Sequence, residues 1–167
     1  MDRASTAVEQ WRREMPGLDL LAMEIIGRLS EASLILRRDW LEPLFAEHGV
    51  QAGEFDVLAT LRRAGAPYSL TPTTLFESAM ISSGGMTNRL DRLENSGWIK
   101  RSPNPNDRRG TLVSLTDEGV ALLDKMVPAH LKNEQDAIKT MSPEEQAQLN
   151  QLLRKLVKSV SRHDKAC

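Results

Sequence analysis

Cysteine is nearly missing from this sequence: a single residue, Cys167, closes the chain. One thiol cannot build a disulfide framework or a cysteine metal site within one chain. At a terminus it also lacks the fixed surroundings that would hold a reactive thiolate, which removes the reading of a thiol-based peroxide sensor. Aromatic residues are scarce, at 4%. With Leu, Ala, Glu, Lys and Arg abundant, that composition leans helical. No apolar run approaches the roughly 18 residues that cross a bilayer. The opening MDRASTAVEQWRRE is charged and has no apolar stretch of the secretory kind. A cytoplasmic protein without a membrane partner is expected. No Gly-rich phosphate loop, nucleophile elbow or metal-binding histidine pair is present, so neither an enzyme nor a cofactor is expected. Gly84-Gly85 imitates a phosphate loop only weakly. His48, His130 and His163 are far apart with no ligand spacing, which argues against a metal site.

A general basic coat is also missing. The formal net charge is −1, so any nucleic-acid surface must be local. The distribution supplies one. Residues 82–109 sum to +3, between acidic flanks of −3 over residues 1–50 and −4 over residues 116–150.

The 167 residues fit one domain with a real core. A short helix is expected over 5–14. Leu18, Leu21, Ile25, Leu29, Leu36, Trp40 and Leu44 step mostly by three or four, which predicts one long amphipathic helix to about Glu47. A further helix is expected over 52–63, stopped by Ala64-Gly65-Ala66-Pro67. Thr71-Pro72 is an N-cap followed by proline at the first helical position, opening a short helix over about 72–78. Ser82 or Ser83 caps the next helix, which runs to about Ser96 and stops at Gly97.

Two strand-like runs follow, Trp98 to Ser102 and Thr111 to Leu115, joined by the turn-rich stretch 103–110. They predict a hairpin with a long tip. Thr116-Asp117-Glu118 opens another helix, which Pro128 is expected to bend or interrupt. Ser142-Pro143-Glu144-Glu145 reads as a capping box. Leu149, Leu152, Leu153, Leu156, Val157 and Val160 line one face of the last helix.

Helix, short helix, helix and hairpin are the parts of a winged helix-turn-helix, in which the second helix of the motif enters the major groove. In the candidate reading helix, Met86, Leu90 and Leu93 form the inner face. Ser83, Gly84, Thr87, Asn88 and Arg92 form the other. Small residues at its start let backbone N–H groups approach phosphate. Asn pairs with adenine and Arg with guanine. Arg108 and Arg109 arm the hairpin for a narrow, negative minor groove. The plain alternatives are a surface helix with a polar face and two solvated charges.

Residues 54–119 resemble the winged-helix core of the multiple-antibiotic-resistance regulator (MarR) family. The likeness is carried by TNRLDRLE at 87–94, then Gly97 and a strand, then Asp107-x-Arg109 and Leu115-Thr116-x-x-Gly119. The resemblance implies a mostly α fold. Residues 1–50 would hold N-terminal helices, 51–116 the winged helix-turn-helix, and 117–167 C-terminal helices, the two ends packing into a homodimer. It further implies a palindromic DNA operator, with Asp107 orienting the wing, Arg109 entering the minor groove and Arg108 beside it.

The extra N-terminal helix is similar to the family's urate-responsive branch. There, a Trp, an Asp and two Arg shape a ligand site, and Trp11, Asp56, Arg89 and Arg101 occupy the matching positions here. A flat aromatic anion, urate-like or phenolic, would then release a repressor from DNA. Plainer readings exist: Trp11 as a core or dimer aromatic, Asp56 paired with Arg89 or Arg92, and Arg101 on a phosphate. The rival to the whole reading is a winged-helix protein-interaction module without DNA affinity.

Overall fold

The computed structural model describes residues 2–80 and 85–161, the side chains of Arg108 and Arg109 excepted. The chain opens with α1 (Arg3–Glu14), capped by Asp2 through the Ser5 N–H. Helix α2 (Leu21–Ile35) continues through a π-helical stretch, Leu36–Leu41, into α3 (Glu42–Glu47). The one long helix expected to about Glu47 is unbroken from Leu21, with this π-helical stretch inside it: Pro43 has no N–H to give and its ring would crowd the preceding turn. Widening that turn into a π-helix relieves the crowding. The Trp40 carbonyl, within the π-helical stretch, accepts from Asn133 Nδ2 at 2.6 Å.

The helix-turn-helix comprises α4 (Ala52–Arg63), α5 (Pro72–Ser78) and α6 (Met86–Asn95). Helices α4 and α5 coincide with their expected spans, and Thr71 caps α5 through the Thr74 N–H. Helix α6 begins at Met86 with Gly85 as its cap residue, later than the expected serine cap. Ser82, Ser83 and Gly84 lie outside the described residues.

The wing is β2 (Ile99–Asn104) and β3 (Asp107–Leu115), both longer than expected. A third strand, β1 (Ser69–Leu70), which the sequence reading lacked, pairs antiparallel with β3, giving the order β1-β3-β2. The expected long tip is a tight turn followed by a bulge. Asn104 pairs with Asp107 and Pro103 with Thr111, so residues 108–110 have no partners across the ladder. Bulges of this kind re-aim a strand. Arg108 and Arg109 therefore sit in the bulge and not at the tip.

Helix α7 (Asp117–Ile138) runs through Pro128 without interruption. A proline inside a helix costs about 3 kcal/mol. The neighbouring Leu123 and Met126 are fully buried, and burial of such side chains contributes about 1.5–3 kcal/mol each, which outweighs the lost hydrogen bond. Helix α8 (Pro143–Val160) starts at Ser142 with both bonds of the capping box formed.

The core gathers Val57, Leu58 and Leu61 of α4, Leu75 of α5, Leu90 and Leu93 of α6, Val113 of β3, and Leu123 and Met126 of α7. Phe45, Phe55 and His130 stack where α3, α4 and α7 meet, with ring centroids 4.6 Å apart for the Phe pair and 4.7 Å for Phe55 and His130. Helix α1 packs on α2 through Ala4, Gly27 and the Arg28–Asp2 ion pair. Neither α2 nor α8 buries a single residue within the chain.

Candidate nucleic-acid interface

Helix α6 is two-faced, as its sequence requires. Leu90 and Leu93 are buried and Met86 packs against the core. Thr87, Asn88 and Arg92 are exposed. Asn88 and Arg92 are four residues apart, so they rise one above the other on the same face. This is an unobstructed polar row in which the residue types suit base edges and phosphates.

Helix α4 braces α6 at several points. Asp56 Oδ2 accepts the Met80 N–H at 2.7 Å, and Arg63 donates to the Ser78 carbonyl and, at 3.0 Å, to Thr60 Oγ1. The bonds to Met80 and Ser78 fasten the chain leaving α5 toward α6. The Arg89 guanidinium lies over Gly53: a Cβ there would stand 2.6 Å from Arg89 Nε. The carboxylate paired with Arg92 is Glu54, at 2.8 Å from Arg92 Nε, and not Asp56. Glu54 is only 2% exposed, and its second oxygen accepts the Gln51 N–H at 2.8 Å. The sequence reading missed Glu54. The available signal was the spacing Gln51-x-x-Glu54, a capping box with an uncommon glutamine as cap.

The wing is tied to α6 through Arg101. Its backbone N–H and Nε donate to Glu94 at 2.9 and 2.8 Å, and Nη2 reaches Asp91 at 2.7 Å. These bonds, first the side-chain one and then the backbone one, hold the Glu94 carboxyl below its ordinary range, and they raise Arg101 above its own. Asp107 is exposed at the start of β3, and its carboxylate lies against Gly110: a Cβ there would stand 3.0 Å from Oδ2. Of Arg108 and Arg109, only the backbone is described.

Of the four residues expected to hold a ligand, Asp56 lies on α4 with its carboxylate on the Met80 N–H, and Arg89 of α6 lies over Gly53 of α4. Arg101 is engaged on the wing side of α6. Trp11 stands on α1, 44% exposed. A concavity of about 250 Å³ lies apart from all four, lined by Arg62, Leu123, Asp124, Val127 and Pro128.

At the base of the wing, α7 approaches the end of α6 with no spare room. Thr116 Oγ1 donates to the Gly97 carbonyl at 2.6 Å, and the Thr116 N–H donates to the Trp98 carbonyl. A Cβ on Gly119 would stand 2.1 Å from that same Trp98 oxygen. This contact gives the Leu115-Thr116-x-x-Gly119 spacing its physical meaning: a threonine cap and a glycine that lets backbone touch backbone.

The model of the MarR family matches residues 50–111, from the start of α4 to the wing. The HTH-type transcriptional regulator PecS of Dickeya dadantii is 45% identical over 154 residues, 92% of each chain. The chain belongs to the MarR family. This MarR-family chain is a winged-helix, DNA-binding transcriptional regulator and not an enzyme. Among solved structures, a mutant MarR from E. coli in complex with operator DNA superposes with a TM-score of 0.70 at 30% identity, covering 88% of this chain and 97% of that one. BpsR of Bordetella bronchiseptica, whose DNA binding is regulated by 6-hydroxynicotinic acid, superposes with a TM-score of 0.68 at 26% identity, over 78% and 97%.

Proposed function

We propose that this MarR-family regulator binds a palindromic operator as a homodimer, acts as a repressor, and leaves DNA when a small aromatic anion binds. The observation that carries the reading is the exposed row Thr87, Asn88 and Arg92 on a helix braced by α4 and tied to an adjacent wing. In a homodimer two such helices enter successive major grooves about 34–36 Å apart. Ser83 and Gly84 would meet phosphate at the start of the reading helix. Asp107 would set the wing, and Arg108 and Arg109 would approach the minor groove. The E. coli relative bound to its operator supports the same mode here.

Dimer formation is supported by apolar surface that the single chain leaves open. Leu21, Ile25 and Leu29 of α2, Leu131 of α7, and Leu152, Val157 and Val160 of α8 are all exposed. That is a broad apolar face for one chain to leave in water, and a second copy covers it with matching residues. Residues 1–50 and 117–167 would supply this dimer region, and 51–116 the DNA-binding lobe.

Ligand response draws support from the BpsR relative, which answers to a flat aromatic acid. In this chain the ligand set is Trp11, Asp56, Arg89 and Arg101. An aromatic face and an arginine fork suit urate or a phenolic acid. Asp56 already anchors the link into α6 and Arg89 lies on α6 itself. An anion that draws on Arg89 and repels Asp56 would therefore move the reading helix, and that differential contact is what shifts the equilibrium.

The test is to select duplexes from a random-sequence pool with the purified protein, then titrate the complex with urate, salicylate and 6-hydroxynicotinate. The expected result is an inverted-repeat duplex released by at least one of the three. Selection of no duplex removes DNA binding. Stable complexes with no heat of binding for any ligand remove the ligand response.

A further inference from the structure

We propose that Glu54 is a positioning residue that fixes the base specificity of the reading helix by aiming Arg92 at a guanine. The inference rests on α6 being the DNA-reading element. Glu54 is a carboxylate almost fully removed from water, its side chain 3% exposed, on the helix behind α6. A buried charge is stable only when paired and hydrogen-bonded. One oxygen accepts the Gln51 N–H that opens α4, and the other lies 2.8 Å from Nε of Arg92 in an ion pair.

The choice of Nε decides what Arg92 can do. With Nε against the Glu54 carboxylate, the two terminal nitrogens have no hydrogen-bond partner among the described residues, and the side chain is still 57% exposed. Arg92 stands on the same exposed face of α6 as Asn88, one turn away. An end-on guanidinium fork is the geometry that takes guanine O6 and N7 together. Arginine otherwise carries several free rotamers, and holding it before DNA arrives removes part of the ordering cost. Glu54 never touches DNA in this scheme, because it lies under the helix. The same fork could instead take a phosphate oxygen pair, and the two cases separate by where affinity is lost.

The probes are the duplex selected by the wild-type protein, its full set of single-base-pair variants, and one unrelated duplex. Binding is read by fluorescence anisotropy for wild type, Glu54→Gln, Glu54→Asp, Arg92→Ala and Glu54→Gln/Arg92→Ala. An amide has one acceptor oxygen where the carboxylate has two, so Glu54→Gln cannot serve both Gln51 and Arg92. Glu54→Asp keeps the charge and shortens its reach, which supplies a second route if the amide variant fails to melt as a folded protein.

The expected result is a loss of about fivefold to a hundredfold on the selected duplex. It is confined to discrimination at one G·C pair per half-site, the same pair for the Glu54 and Arg92 variants. The double variant loses no more than Arg92→Ala, and both Glu54 single variants bind the unrelated duplex as the wild type does. Equal loss on every duplex, or losses that add in the double variant, or unchanged discrimination in both Glu54 variants overturns the proposal. A wild-type chain that selects no duplex overturns instead the reading on which it rests.

Discussion

Gly53 of α4 and Arg89 of α6 occupy one another's space: a Cβ on residue 53 would stand 2.6 Å from Arg89 Nε and 3.2 Å from its Cζ. The neighbour is the far end of a flexible side chain, so Gly53→Ala forces Arg89 aside without breaking the backbone. Alanine also favours the helix over glycine by up to about 1 kcal/mol. Thermal stability is therefore expected to hold or rise slightly, while the concentration of aromatic anion needed for release increases about fivefold or more, the low end of coupling energies between sites. Melting curves and release titrations on the same preparation check this. A variant with wild-type release would separate Arg89 from the response.

The Arg101 clasp carries a pH dependence of definite sign. Glu94 has a folded-state pKa below its ordinary 4.5, chiefly through its bonds to Arg101. A depressed carboxylate contributes stability that is fully present above the ordinary value and is lost as pH falls through the depressed one. Arg101→Ala should thus melt below wild type at neutral pH, and the gap should close as pH is lowered beneath about 4.5. Both groups are partly exposed, so added salt should narrow the gap as well. A gap that persists at acid pH would mean that Arg101 acts through packing.

How far these features are legible in the sequence depends on how local their causes are. Thr71-Pro72 and Ser142-Pro143-Glu144-Glu145 carry their own caps, and α5 and α8 begin where those residues say. Leu90 and Leu93 are buried as their spacing demands. Strand β1 escaped because Ser69–Leu70 is too short to show alternation, and only pairing with Ser114 and Val113 makes it a strand. The partner of Arg92 escaped for a related reason. Glu54 and Asp56 are both acids on α4, and only the way α4 crosses α6 selects Glu54 for Arg92 and leaves Asp56 for the Met80 N–H. Pro128 leaves α7 uninterrupted because of packing on either side of it, and the strength of that packing is a tertiary quantity.

Gly119→Ala tests the close approach of α7 to the backbone at the base of the wing. The added carbon would meet the Trp98 carbonyl oxygen at 2.1 Å, and that carbonyl is held by the Thr116 N–H. Either α7 or the base of the wing must move. A loss of about 1–3 kcal/mol or more is expected, read as a lower midpoint in urea at unchanged slope. Near-wild-type stability would show that α7 can slide without penalty.

The dimer reading is tested on α8, where Leu152 and Val157 are 62% and 61% exposed in the single chain. Leu152→Asp/Val157→Asp places two charges on a face that the chain does not bury, so the protomer keeps its own core. In the dimer the same charges would be trapped against apolar surface, at a cost of several kcal/mol. Sedimentation should show a dimer for wild type and a monomer for the variant. The dependence of melting temperature on protein concentration should vanish with it. A wild-type monomer would end the account of the open apolar face.

The wing separates charge from shape. Residues 108–110 bulge out of the ladder between Asn104↔Asp107 and Pro103↔Thr111, and the Asp107 carboxylate lies against Gly110 at their exit. If Arg109 meets the phosphates or the minor groove, Arg109→Ala removes one cation per wing. The slope of log affinity against log salt should then flatten by about 0.9 for each. Asp107→Ala removes an anion near DNA, which by simple charge would strengthen binding. Its role in shaping the bulge implies the opposite: weaker binding with the salt slope little changed. Salt titrations of the two variants on one duplex distinguish these, and tighter binding by Asp107→Ala would reduce the aspartate to a bystander charge.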